Sequence, residues 1–281
     1  MARSPEGKVV FVEGALPGER AAVRVFQKKP KFEIGRATSI FEPSGGRRAP
    51  RCPHFGVCGG CVTQHADERT QMAAKQRWLE DCLERIGKVE PETMLPISCG
   101  PEWGYRHRAR LSVRYLTARG AMVGFRERRS THVAEMHECQ VLPPAVSALL
   151  VPLRELVGKL SIRERLPQVE VAVADNATVL VFRHLLPLTQ EDQDHLRAFA
   201  QAHGVHAWLQ PVGPDSAHPF HPAQSQPYYE LPEFGVRLHF RPTEFTQVNH
   251  AMNRALVAKA VKLLDPQPGE RIADLFCGLG N

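Results

Sequence analysis

No apolar run in the 281 residues approaches the roughly 18 that a helix needs to cross a bilayer, so no membrane partner is expected. The opening residues, Met1 to Ala15, lack the continuous apolar stretch of a secretory signal. A disulfide framework is missing too, since seven cysteines is an odd count and their spacing is uneven. There is no internal repeat. Together these absences predict a protein of the reducing cytoplasm, where thiolates stay available to a metal. The composition, 43% hydrophobic and 23% charged, is that of a globular protein with a real core. The length suggests about two domains with part of a third.

Positive charge is present and unevenly placed. The chain carries 36 Lys and Arg against 30 Asp and Glu, a formal +6, and residues 1–60 already hold 11 basic and 5 acidic side chains. A second block runs from Tyr105 to Ser130, with Arg106, Arg108, Arg110, Arg114, Arg119, Arg126, Arg128 and Arg129 opposed only by Glu127. Arginine suits bidentate phosphate contacts. One such block alone reads as a solvated face. Two of them flanking a cysteine loop point to nucleic acid, with Arg106, Arg108 and Arg110 as the candidate RNA contacts.

That loop is Cys52-Pro53-His54-Phe55-Gly56-Val57-Cys58-Gly59-Gly60-Cys61, and a lone cysteine follows in His137-Glu138-Cys139. Four thiolates suit either tetrahedral zinc or an iron–sulfur cluster. Structural zinc sites more often present two close pairs, whereas here only Cys58 and Cys61 form one. Spacing leaves zinc, a cluster and a metal-free loop open. Cys82, beside a helical stripe, reads as a buried inert thiol, and Cys99 as structural.

Short strand-like runs at Val9–Val12, Ala21–Val25 and Ile34–Ala37, broken by Pro17-Gly18 and Lys28-Lys29-Pro30, predict a small β unit. It looks like part of an OB-like barrel, a fold that often binds oligonucleotides. Asp67 to Gly87 predicts a helix whose apolar stripe is Met72, Leu79, Leu83 and Ile86. Strands are expected around Leu111–Tyr115, Met122–Phe125, Val169–Val173 and Val179–Phe182, with helices at 145–160 and 189–203. Asn249 to Leu264 predicts a further helix. Arg271–Phe276 predicts a strand running into Cys277-Gly278-Leu279-Gly280-Asn281. A strand followed by a G-x-G turn opens nucleotide-binding α/β units, because glycine lets the backbone approach a ligand. Asp274 before that turn favours S-adenosylmethionine over a dinucleotide.

Three motifs in this order carry a family resemblance: Pro50-Arg51-Cys52 to Cys61, Glu244-Phe245-Thr246-Gln247-Val248-Asn249, and Asp274 to Asn281. Together they look like bacterial 23S rRNA (uracil-5-)-methyltransferases, and the β unit resembles the TRAM domain of the TRAM-bearing branch. The resemblance implies an α+β multidomain chain. A partial TRAM barrel would occupy 1–43, a central α+β domain with the cysteine loop 44–243, and the opening of a Rossmann-like methyltransferase domain 244–281. The helix over 67–87 would pack on that last domain. The resemblance also implies a [4Fe-4S] cluster on Cys52, Cys58, Cys61 and Cys139. Gln247, Phe276 and Asn281, with Asp274, Gly278 and Gly280, would contact S-adenosylmethionine, and 23S rRNA would be the partner of a monomer.

The implied reaction needs a cysteine thiolate to add at uracil C6 and a base to remove the C5 proton. The family places both downstream of the G-x-G turn, so the chain is expected to be a fragment without catalytic residues of its own. Cys277 has no catalytic part in the motif. Residues 245–281 are expected to pack poorly, since an isolated first strand exposes apolar surface. Two rivals are an RNA-binding module with a structural zinc, and an enzyme acting on tRNA. The cysteine loop and the β unit argue against the second.

Overall fold

The computed structural model describes residues 1–280, which fall into two compact units, Met1–Ser98 and Cys99–Asn281. The first begins with four strands: β1 (Ala2–Arg3), β2 (Val9–Glu13), β3 (Arg20–Lys28) and β4 (Phe32–Glu42). They form one sheet in the order β1-β2-β4-β3, with β2 and β4 parallel and the other pairs antiparallel. The three expected runs are all present and longer than expected; β1, two residues long, carries too little pattern to be read in advance. Gly35 sits where a Cβ would meet Val23 Cγ1 at 2.5 Å, so the close approach of β3 to β4 requires glycine there.

The sheet is tied to the following loop by a buried ion pair. Arg47 grips Glu19 through Nε at 2.5 Å and Nη2 at 2.6 Å, while the backbone N–H groups of Leu16 and Ser44 donate to the same carboxylate. The Arg47 side chain, the first cause, holds the Glu19 carboxyl down at about 2. Gly46 then passes so close to Thr70 that a Cβ would collide with its hydroxyl, bringing the loop onto the start of α1 (Glu68–Asp81). Asp67 caps that helix by accepting from Thr70 N at 2.8 Å.

Only part of the expected helix over 67–87 is α-helical. Cys82–Gly87 is a π-helical turn, closed by Lys88 at φ +54. The apolar stripe is covered only in part, with Met72 and Leu83 half-buried. Trp78, Leu79 and Ile86 are exposed, and Cys82 is half-buried rather than buried.

The second unit is built on a six-stranded sheet in the order β10-β9-β8-β7-β5-β6. Its strands are β5 (Arg108–Leu116), β6 (Gly120–Gly124), β7 (Gln168–Val173), β8 (Thr178–Arg183), β9 (His206–Gln210) and β10 (His218–His221). Only β8 and β9 are parallel. Between β6 and β7 lie α2 (Pro144–Ser147) and α3 (Leu150–Lys159), and α4 (Gln190–His203) makes the β8–β9 crossover. Thr189 and Asp192 form a capping box on α4, and the same Asp192 carboxylate accepts from Ser161 N and Oγ. Alternation along the strands sends Leu111, Val169, Val171, Leu180 and Phe182 to one face, all of them fully buried.

The opposite face carries Ala172, Val179, Val181 and Trp208. It packs against Tyr229, Leu231 and Phe240, which belong to or follow the hairpin β11 (Tyr228–Leu231) and β12 (Val236–His239). Val257, from α5 (His250–Leu264), and Leu279 close on the same cluster. The strand expected at 271–276 is not formed. A β-strand exists through its ladder, and no other described segment pairs with these residues. Ile272, Leu275 and Phe276 are exposed, as expected of unpaired apolar residues. Packing is thin over the described residues from 245 on, as expected: along α5 only His250 and Asn253 are buried, and 265–278 are exposed throughout.

Candidate functional site

Strand β5 builds the basic surface. Ala109, Leu111 and Val113 point into the core, so Arg108 and Arg110 share the other face. Directly across the ladder from Arg110 lies Glu170, a buried carboxylate on β7. Arg110 donates to it through Nε at 3.1 Å and Nη2 at 3.0 Å, and Arg108 Nη2 stands 3.9 Å away. Gln168 Nε2 adds a bond of 2.7 Å. Burial, the larger cause, lowers the pKa of Arg108, and Glu170 opposes that shift. Arg106 is placed differently, with its guanidinium over the Phe125 ring at 5.8 Å. The lone Glu inside Val169-Glu170-Val171-Ala172-Val173 is the sequence signal for this arrangement, and the strand pattern alone does not tie it to the arginines.

The Glu244–Asn249 motif runs beside these arginines. Arg108 Nη1 donates to Thr246 Oγ1 at 3.4 Å. His107 N–H donates to Val248 O at 2.7 Å, and the His107 and His250 rings stack with centroids 4.2 Å apart. Asn249 caps α5 by accepting from Met252 N, which leaves Gln247 exposed and without that structural duty. Burial, the first cause, and then the neighbouring His107 push the His250 pKa down to about 4.

After α5, Asp274 and Phe276 are exposed, and Phe276 takes φ +65. Gly278 and Gly280, at φ +61 and +81, allow a tight turn closed by Gly280 N to Cys277 O at 3.0 Å. An exposed carboxylate and an exposed aromatic ring beside a left-handed glycine turn fit a cofactor with hydroxyls, a flat base and a charged sulfonium. Asn281 lies outside the described residues.

The cysteines are thiols, none in a disulfide. Cys52 and Cys58 are buried in a loop of successive turns, and Gly60 N–H donates to Cys58 Sγ at 3.3 Å. Cys61 is half-buried, and Cys139, in the second unit, is buried with its N–H on Ser147 Oγ. The donor chemistry fits a thiolate-bound cluster. The arrangement does not yet make a cage, because among the described residues no three His, Cys, Asp or Glu side chains are grouped to hold a metal ion. Also among the described residues, no helix is long and apolar enough to cross a membrane.

Residues 1–38 match the TRAM domain family, and the fold matches that of a solved RNA methyltransferase. The crystal structure of Pyrococcus abyssi tRNA (uracil-54, C5)-methyltransferase in complex with S-adenosyl-L-homocysteine superposes with a TM-score of 0.67. It covers 96% of this chain and 64% of that one, at 18% identity, so it speaks to the fold alone. Sequence is more specific. The chain is 58% identical over 278 residues to the 23S rRNA (uracil(1939)-C(5))-methyltransferase RlmD of Bordetella parapertussis, and 56% identical over 276 residues to that of Cupriavidus necator. These matches take in 98% of this chain but 60% and 63% of the relatives, so the chain spans about three-fifths of their length. Nearly its whole length is thus similar to part of these 23S rRNA uracil-C5-methyltransferases, and its first 38 residues to a TRAM domain.

Proposed function

We propose that the whole protein methylates C5 of a uridine in 23S rRNA with S-adenosylmethionine as donor, as a cytoplasmic monomer. The observation that carries this is 58% identity along nearly all of the chain to an enzyme so named. Uracil C5 is a weak nucleophile. Addition of a cysteine thiolate at C6 would make it an enolate carbon able to accept an electrophilic methyl group, which the cofactor supplies when bound. A base would then take the C5 proton and elimination would free the thiolate. Both groups would lie beyond Asn281. Within the chain, Gln247, Asp274 and Phe276 would hold the cofactor, with Asn281, and the turn of Gly278 and Gly280 would admit it. Labelled methyl transfer by the full-length protein to unmodified 23S rRNA, against tRNA in parallel, tests this. Preference for tRNA would move the protein to the other branch.

Arg106, Arg108 and Arg110 would contact the RNA. Arg108→Ala with Arg110→Ala is expected to weaken binding at low salt and to lower the salt slope by about 1 for each phosphate the pair neutralises. An unchanged slope would return them to a purely structural role around Glu170.

Cys52, Cys58, Cys61 and Cys139 would ligate a [4Fe-4S] cluster of structural character. Buried thiols and the N–H donated to Cys58 Sγ support this. Protein purified without oxygen is expected to hold about four irons and four sulfides per chain. One zinc without sulfide would favour a zinc module instead.

A further inference from the structure

In the second unit a groove lies between β9 and the β11–β12 hairpin, in two connected parts of about 540 and 380 Å³ that share Gln226 and His239. Each part is within the size of small-molecule sites, roughly 300–1,000 Å³. Trp208 and Phe240 wall one part, and Tyr228 and His206 the other. The aromatic groups are held in place. Trp208 Nε1–H donates to the buried Ser225 Oγ at 2.9 Å, which also bonds His206 Nδ1 at 2.8 Å. The Tyr228 ring meets His239 edge-on at 5.5 Å and is backed by the Arg237 guanidinium at 4.2 Å.

Against this firm lining, the Gln224 and Gln226 side-chain amides are exposed and make no hydrogen bond among the described residues. The charges at the rim do not suit phosphate. Arg241 is spent on the carbonyls of Asp215 and Ala217, and Glu244 adds a carboxylate. Aromatic rings and unused amides without a free cation match the faces and edges of a nucleobase, not a backbone. The groove also ends at Glu244, where the motif bearing Gln247 begins.

We infer that this groove takes an unpaired base of the RNA, stacked on Tyr228 with His239 against its edge, and read by Gln226. This rests on the RNA reading proposed above. Phosphates a few nucleotides away are left to the β5 arginines, three strands across the sheet, so base and backbone are held by different elements. The test uses the full chain with short single-stranded oligouridylate and oligoadenylate, titrated across salt. Tyr228→Ala with His239→Ala is expected to weaken binding roughly ten-fold with no change in salt slope, because stacking releases no counterions. Tyr228→Phe keeps wild-type affinity.

Gln226→Ala, at an exposed side chain that no fold contact needs, is expected to shrink the difference in affinity between the two oligomers. It also carries the test if the double variant unfolds. Variants that bind like wild type would overturn the groove while leaving RNA binding in place. A wild-type chain that binds neither oligomer would overturn the RNA reading, and the groove with it.

Discussion

Glu170→Ala is expected to cost the second unit about 3 kcal/mol, the range for breaking a buried charge pair from one side. Glu170 is buried and accepts from Arg110 and Gln168, with Arg108 beside it. The loss is unequal for the two arginines. Arg110 is largely exposed, its side chain at 68%, and water replaces its partner at little cost. Arg108, at 17%, would be left desolvated with only the weaker attraction of Glu244 in place of Glu170. Urea unfolding of Glu170→Ala, Arg110→Ala and the double variant separates these contributions. Arg110→Ala alone should cost less than about 1 kcal/mol. A Glu170→Ala chain within that margin of wild type would mean that the cluster is solvated and structurally idle. The same variant bears on function. If the arginines face RNA, removing their internal carboxylate should raise affinity at low salt and steepen the salt dependence.

Such a carboxylate is legible in the sequence as an oddity, one Glu among valines, but its partners are not. Strands β2 to β8 follow from alternation and turn residues. The capping residues Asp67, Thr189 and Asn249 stand where the following helices start, because a side-chain acceptor ahead of an apolar period is a local signal. Three features escape such reading. β9 to β12 are four or five residues each, too short for a period to show, and polar residues interrupt them. The π-helical turn at Cys82–Gly87 carries the helix formers Leu83, Glu84 and Arg85 before Gly87, which reads as an ordinary α-helix stop, so composition alone does not separate it from α1. The segment 271–276 has the composition of a strand, but composition supplies only one side of a ladder. In the candidate site the motifs are readable as words. Their placement, with Thr246 against Arg108 and His250 against His107, joins residues far apart in the chain and needs the fold.

That last pairing sets a pH dependence. His250 has its folded pKa at about 4, below the usual 6.5, because its ring is buried and stacked on His107. The groups around it are mixed: Asp175 favours the proton and Arg254 opposes it, while these two bond each other at 2.7 Å. A depressed histidine means that the unfolded chain binds the proton more readily. Its contribution is therefore complete above about pH 6.5 and is lost as pH falls from there towards 4. The loss should reach about 2 kcal/mol, allowing for screening at a partly solvated ring. Because His250 opens α5 and follows the Glu244–Asn249 motif directly, the first loss should be local. Hydrogen exchange, corrected for the intrinsic rate at each pH, should show lower protection across 246–257 at pH 5 than at pH 7.5, with protection in β7 and β8 unchanged. His250→Phe keeps an aromatic ring on His107 and removes the proton, so its stability should fall less over the same range, keeping only the loss due to carboxylates such as Asp192. A variant that keeps the wild-type slope would assign the pH dependence to another group and leave the stacked pair as packing alone.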